Sequence, residues 1–129
     1  MPKVVLLYAG LLALLFVSLS VRTLRLRRHL RIAVGDAGSE VMLRAMRVHS
    51  NFAEYVPLAL LLLYFVEALG SKPLVVHVLG ASLFIGRIFH AIGVSQVNER
   101  FSLRVLGMAM TFTPIMVCSL WILFVYLNK

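Results

Sequence analysis

Residues 47–57, RVHSNFAEYVP, stand immediately before LALLLLYF, one of the most apolar runs of the chain. An arginine, an asparagine and a glutamate thus lie where a helix would enter a membrane, although each is costly in hydrocarbon. At about 100° per residue, the polar side chains of this region share an arc of roughly 100°, and His49 points to the other side. They are Arg44, Arg47, Asn51, Glu54 and Tyr55. The segment predicts a helix with a polar stripe that runs from the interface into the outer hydrocarbon.

The composition of the chain predicts a membrane protein. Its 129 residues are 61% hydrophobic, more than a soluble domain of this size can bury. Four apolar segments each approach the roughly 20 residues that a spanning helix needs. We predict one domain over residues 1–129, with helices at about 4–22, 40–69, 74–95 and 104–128. The predicted fold class is an all-α integral membrane protein, a four-helix transmembrane bundle.

The first apolar segment differs from a secretory signal peptide. It is too long, no small-residue cleavage site follows it, and the positive charge lies after it. We therefore expect a retained first helix.

The formal net charge of +8 is confined to short connections, which favours membrane topology over nucleic-acid binding. All ten arginines lie at or near the connections after helices 1 and 3. The lysines on the opposite side are Lys3, Lys72 and Lys129. The positive-inside rule places the arginine side in the cytoplasm and both termini outside. We expect membrane lipids as partners and no nucleic acid, and no metal-ligand spacing occurs.

The stripe on helix 2 has two explanations that the residue types alone leave open. Arg44 and Arg47 can extend to lipid headgroups, and Tyr55 can belong to an interfacial aromatic belt. Asn51 and Glu54 need protein, water or a ligand as a partner. The stripe is therefore either a helix–helix contact network or a polar ligand site.

Other positions lead to local expectations. Pro57 frees the carbonyl near Ala53 and favours a kink that would leave room for a ligand, although it can also be tolerated without function. Asp36 or Ser39 is expected to cap helix 2, and Glu67 is expected to be solvated. A face of small residues on helix 3 favours close helix packing. It comprises Ser82, Gly86, His90 and Gly93.

The pattern on helix 2 resembles the hallmark of the MAPEG superfamily, the membrane-associated proteins in eicosanoid and glutathione metabolism. In this sequence it is Arg44-x-x-Arg47-x-x-x-Asn51-x-x-Glu54-Tyr55-x-Pro57, followed by an apolar run. The chain length and the four apolar segments agree, and the stretch is most similar to the bacterial branch. The resemblance covers essentially the whole chain.

The resemblance implies a homotrimer of four-helix bundles that binds glutathione as a co-substrate between subunits near the cytoplasmic face. It also implies a bacterial inner membrane location. The residues that it carries over as contacts are Arg47, Asn51, Glu54 and Tyr55, with Arg44 close by. Glutathione has carboxylates that match arginine forks and an ammonium that matches a glutamate. An asparagine can both donate and accept along its peptide groups.

The resemblance also implies activation of the glutathione thiol by an arginine at the end of helix 1. Arg27 and Arg28 match that position, and Arg28 is favoured, while Arg104 resembles an arginine that borders the site. A nearby cation lowers a thiol pKa of about 8.5 by a unit or more. The implied activity is that of a glutathione transferase or peroxidase acting on lipophilic small molecules.

Helix 3 departs from the pattern of the family's eukaryotic enzymes. His90 and Val94 align with two tyrosines of those enzymes, and only His90 can form a hydrogen bond to a ligand. Arg87 lies one turn from His90 and can assist. The non-enzymatic alternative is a membrane scaffold or lipid-binding protein that retains the fold. A transporter would need paired polar groups near the bilayer midplane, which the stripe does not reach.

Overall fold

The protein is a bundle of four long α-helices in a computed structural model that describes residues 1–128, so Lys129 lies outside the described residues. The helices are α1 (Val4–Leu30), α2 (Glu40–Ala68), α3 (Pro73–Ser95) and α4 (Phe101–Leu127). All four are long and apolar enough to cross a membrane, and no strand occurs among the described residues. The prediction of an all-α membrane protein with four spanning helices is confirmed. Because α2 and α3 each contact all three other helices, they form the centre of the bundle.

Two helix ends differ from the prediction. The first helix was expected to end near residue 22 but continues to Leu30, and α4 begins at Phe101 instead of residue 104. Arginine ends an apolar run without ending a helix, because it is a good helix former. Basic side chains also stabilise the C-terminal turn of a helix, and Arg27, Arg28 and His29 occupy that turn of α1. The other predicted bounds lie within one residue of the observed ones.

The start of α2 is set by a side-chain cap. Ser39 is the N-cap, and its hydroxyl accepts a hydrogen bond from the backbone N–H of Met42 at 3.3 Å. Asp36, the other residue considered for this role, accepts a hydrogen bond from the N–H of Gly38 at 2.9 Å within the preceding turn. Of the two predicted candidates, Ser39 is therefore the cap.

The small-residue face of α3 packs against α4 within the same chain. A methyl group placed on Gly107 would lie 2.6 Å from the carbonyl oxygen of Gly86, so the two backbones are in direct contact. The Ser82 hydroxyl adds a hydrogen bond of 3.0 Å to the carbonyl oxygen of Met110. The expected close packing is thus present, and it brings α4 against the C-terminal half of α3.

Glu67 is partly exposed, but it is not only a solvated side chain, because it also contacts the start of α1. Its carboxylate accepts hydrogen bonds from the backbone N–H groups of Lys3, Val4 and Val5 at 2.7, 2.8 and 2.8 Å. The first N–H groups of a helix have no partner within it and carry a partial positive charge. Glu67 of α2 therefore caps α1 from a neighbouring helix.

Candidate functional site

The polar stripe of α2 divides into an anchored part and an open part. Arg44, Asn51 and Tyr55 are partly buried and contact α3, α4 or the connection between them. Arg47 and Glu54 are exposed, and their side chains form no hydrogen bond or ion pair with any of residues 1–128. A helix–helix contact network therefore accounts for Arg44, Asn51 and Tyr55, whereas it accounts for neither Arg47 nor Glu54 within residues 1–128.

Arg44 and Arg104 are joined through one carboxylate. Glu99 accepts a hydrogen bond from Arg104 at 2.8 Å and another from Arg44 at 3.3 Å. Arg44 also binds Glu40 at 3.1 Å and the carbonyl oxygen of Val94 at 3.2 Å. The hydrogen bond from Arg104, followed by that from Arg44, holds the pKa of the Glu99 carboxyl below its usual range. This cluster ties the start of α2 to the connection between α3 and α4.

Asn51 is anchored by a buried guanidinium. Arg87 is only 1% exposed and donates to the side-chain oxygen of Asn51 at 2.7 Å. The same nitrogen lies 3.2 Å from Nδ1 of His90, and the other terminal nitrogen lies 3.4 Å from the hydroxyl of Thr111. The ring of Phe52 lies 5.7 Å from the guanidinium carbon. Of the residues predicted to bind a ligand, the structure thus joins Asn51, Arg87 and His90 in one cluster.

Tyr55 connects the stripe to a surface groove of α4. Its ring meets Phe112 edge to face, with the ring centroids 5.4 Å apart. Phe112, Met108 and Arg104 line an open groove of about 460 Å³ on α4. The groove gives the stripe an apolar neighbour with a cation at one end.

Arg27 and Arg28 lie in the last turn of α1, beside a depression of about 410 Å³ that Arg31 also lines. Arg27 donates to the carbonyl oxygen of Gly35 at 2.8 Å, while the exposed Arg28 forms no hydrogen bond with residues 1–128. No hydrogen bond or ion pair among those residues joins either arginine to the stripe. Within residues 1–128, the predicted thiol-activating residues therefore form no polar contact with the predicted binding residues.

The opposite face of α2 packs against α1, as the helical spacing of His49 predicts. The His49 ring contacts the Ser20 hydroxyl at 2.9 Å and stacks on Phe16 with centroids 4.8 Å apart. The helix continues through Pro57, which lines an apolar groove of about 270 Å³ between α1 and α2 together with Phe16 and Phe52. The space near Pro57 therefore faces α1 and is suited to an apolar group.

Sequence reasoning missed two residues that shape the site. Glu99, which holds Arg44 and Arg104, is the only acidic residue in the connection between α3 and α4, and that isolation was the available signal. Thr111 gives no comparable signal, because its hydroxyl would be expected to bond to the carbonyl of Gly107 one turn earlier, as it does at 2.8 Å. Its contact with Arg87 depends on how α3 packs on α4.

Comparison with known proteins identifies the family. A family-wide sequence model, that of the MAPEG family, matches residues 5–124. The chain belongs to the MAPEG family. This MAPEG chain is 36% identical over 118 residues to "Inner membrane protein YecN" of Escherichia coli strain K12, covering 89% of this chain and 88% of the relative. The protein of the same name from Escherichia coli O6:H1 matches with the same identity and coverage. No solved structure matches the MAPEG chain.

Family membership confirms the resemblance drawn from α2. The MAPEG chain is an integral membrane protein with four spanning helices, and its relatives are named for their location in the inner membrane. Among the described residues, no group of three His, Cys, Asp or Glu side chains is arranged to hold a metal ion. The candidate site is therefore built from arginine, asparagine, glutamate, tyrosine and histidine side chains.

Proposed function

We propose that this MAPEG protein is a homotrimeric glutathione transferase or peroxidase that acts on lipophilic electrophiles within the membrane. One observation carries the proposal. Arg47 and Glu54 are exposed on the same face of a membrane-spanning helix, carry opposite charges, and have no partner among residues 1–128. A charged side chain at this depth requires protein, water or a ligand beside it.

Glutathione matches the open part of the stripe in charge. Its carboxylates suit the planar fork of Arg47, and its ammonium group suits the carboxylate of Glu54. The two residues are seven positions apart, so their Cα atoms are separated by about 10 Å along the helix axis. This separation is compatible with opposite ends of a short extended peptide rather than with a single small ion.

A neighbouring subunit would complete the site. Hydrocarbon does not solvate Glu54, and a second copy packed against this face of α2 would remove the carboxylate from lipid. It would also bring an α1 arginine to a stripe with which the same chain's Arg28 forms no hydrogen bond or ion pair. We therefore place glutathione between subunits of a homotrimer, with Arg28 as the thiol-activating residue and Arg27 as its alternative.

The orientation follows from the distribution of charge. The connections after α1 and after α3, where the arginines cluster, lie on the cytoplasmic side of a bacterial inner membrane, and both termini lie outside. The stripe then opens near the cytoplasmic face, where glutathione is dissolved. Lipophilic substrates reach the same place by partitioning into the bilayer, which raises their concentration beside the sulfur.

The chemistry begins with loss of the glutathione thiol proton to water. The Arg28 guanidinium lowers the pKa of the thiol because it stabilises the thiolate. In conjugation, a sulfur lone pair forms the bond to the electrophilic carbon, and the leaving group departs with its bonding pair. In the peroxidase reaction, two glutathione molecules reduce a hydroperoxide to an alcohol and water and become one disulfide.

The test is a glutathione titration of the detergent-solubilised protein. We expect saturable binding that is largely lost in Arg47→Ala and Glu54→Ala, while both variants keep the oligomeric size of the parent. Arg100→Ala is the matched control, because Arg100 is an exposed cation in the connection before α4. A parent protein that assembles normally and binds no glutathione would exclude this function and favour a non-enzymatic scaffold or lipid-binding protein.

A further inference from the structure

Arg87 is a buried cation without a carboxylate partner among residues 1–128. The acceptors around its terminal nitrogens are neutral: the Asn51 oxygen, the His90 ring, the Thr111 hydroxyl and the sulfur of Met108 at 3.9 Å. Its Nε is buried and has no hydrogen-bond partner. Buried charges are ordinarily paired. The cluster therefore lacks one negative charge.

The chemistry of arginine fixes the polarity of both neighbours. A guanidinium donates hydrogen bonds and accepts none. Asn51 must therefore turn its oxygen towards Arg87, which directs its NH₂ group away. For the same reason Nδ1 of His90 accepts, so the proton of the neutral ring is on Nε2.

The outward nitrogens of Asn51 and His90 can each donate a hydrogen bond to a ligand. Neither Nδ2 of Asn51 nor Nε2 of His90 forms a hydrogen bond with residues 1–128, and neither is among the buried atoms that lack a partner. Each is therefore an N–H donor that reaches the surface of the cluster. Donors backed by an uncompensated positive charge favour an anionic acceptor, and N–H groups bind carboxylate oxygens more strongly than neutral ones.

We propose that Arg87 is a positioning residue that holds Asn51 and His90 as outward N–H donors and so makes this cluster a carboxylate subsite. The inference rests on the proposed function, since the carboxylate would be one of the two that glutathione carries. The ligand supplies the negative charge that the cluster lacks. Arg87 itself does not touch the ligand, because its own neighbours enclose it.

The decisive variant is Asn51→Asp. An aspartate of the same shape still accepts from Arg87 and adds the missing charge, but it has no Nδ2 donor and repels a carboxylate. We expect the melting temperature to be unchanged or raised and the Kd for glutathione to increase at least tenfold. Asn98→Asp makes the same chemical change at an exposed position of the connection and should bind as the parent does. If Asn51→Asp binds glutathione as tightly as the parent, the subsite is excluded.

A second measurement needs no ligand. In protein labelled with ¹⁵N at histidine, the His90 signals, assigned by their loss in His90→Gln, should show a bare Nδ1 and a protonated Nε2. Arg87→Lys keeps a donor and should preserve this tautomer, whereas Arg87→Gln removes the fixed donor and should produce a mixture. A parent protein with the proton on Nδ1 would overturn the proposal.

The two measurements separate this inference from the proposed function. If the parent binds no glutathione but carries the His90 proton on Nε2, the glutathione function fails and the donor arrangement stands. If the parent binds glutathione but carries the proton on Nδ1, the function stands and the role of Arg87 is overturned.

Discussion

Arg47 and Glu54 lie two turns apart on the same face of α2, and both are exposed to the surroundings of the chain. Their neighbours in the stripe, Arg44 and Asn51, are held by Glu99 and Arg87 of the same chain. The anchored residues fix the position of the helix, and the open residues are presented to another molecule. This division leaves Arg47 and Glu54 as the charged residues of the MAPEG stripe that have no side-chain partner among residues 1–128.

Exchanging the two open charges distinguishes ligand binding from pairing between subunits. If Arg47 and Glu54 only pair with their equivalents in neighbouring copies, the double variant Arg47→Glu/Glu54→Arg should restore the glutathione affinity that each single variant loses. If they bind opposite ends of glutathione, the anchored residues fix the direction of the ligand, and the exchange does not restore binding. We expect the double variant to bind at least tenfold more weakly than the parent in an equilibrium titration. Recovery of parental affinity would contradict a direct role in binding.

Removing the Glu67 carboxylate should destabilise the protein. Glu67→Ala leaves three backbone N–H groups at the start of α1, those of Lys3, Val4 and Val5, without their partner, and loss of a helix cap costs about 1–2 kcal/mol. Glu40→Ala removes an equal charge that forms only an exposed pair one turn along its own helix, which is worth less than about 0.5 kcal/mol. In thermal unfolding in detergent, Glu67→Ala should therefore lower the melting temperature clearly more than Glu40→Ala does. Equal melting temperatures would show that the cap contributes nothing measurable.

The contact between α3 and α4 predicts that alanine destabilises the protein at Gly107 but not at Gly10, which lies outside that contact. Gly107→Ala places a methyl group 2.6 Å from the Gly86 carbonyl oxygen, and crowding of this kind costs about 1–3 kcal/mol. Gly10 lies on the exposed side of α1 with nothing within 4 Å of an added methyl group. Alanine there should be neutral or stabilising, because it lowers the backbone entropy lost on folding. Thermal unfolding of the two variants tests this contrast, and a Gly107→Ala protein as stable as Gly10→Ala would contradict the packing.

Local properties of the sequence predicted the four helices and the face that the stripe occupies. Hydropathy and a rotation of about 100° per residue involve only neighbours along the chain. The extension of α1 to Leu30 was missed because arginines end an apolar run while remaining compatible with a helix. The pairing of Glu67 with Lys3 and Val4, and the burial of Arg87, depend on how separate helices meet. Spacing within one helix carries no information about those contacts.

The hydrogen bonds that Glu99 accepts from Arg104 and Arg44 predict a pH-dependent contribution to the stability of the fold. Its hydrogen bonds with Arg104 and then Arg44 lower the pKa of Glu99 in the folded protein, so folding favours the ionised carboxylate. The stabilisation is fully present above the ordinary glutamate pKa of about 4.3 and is lost as the pH falls through the lower folded value. The melting temperature of the parent should exceed that of Glu99→Gln by a constant amount at neutral pH. That difference should shrink as the pH falls below about 4. A difference in melting temperature that grows on acidification would contradict stabilisation by the ionised Glu99 carboxylate.

The central claim is that the stripe holds glutathione as a thiolate, and thiolate ultraviolet absorbance in the glutathione-saturated protein at neutral pH tests it most directly. A free thiol with a pKa near 8.5 is only a few per cent ionised at that pH. We predict a thiolate signal that saturates with glutathione binding in the parent. The signal should be lost in Arg28→Ala, whose binding residues on α2 remain intact, and kept if Arg27 is replaced instead. A saturated parent protein whose absorbance does not exceed that of free glutathione would contradict the claim.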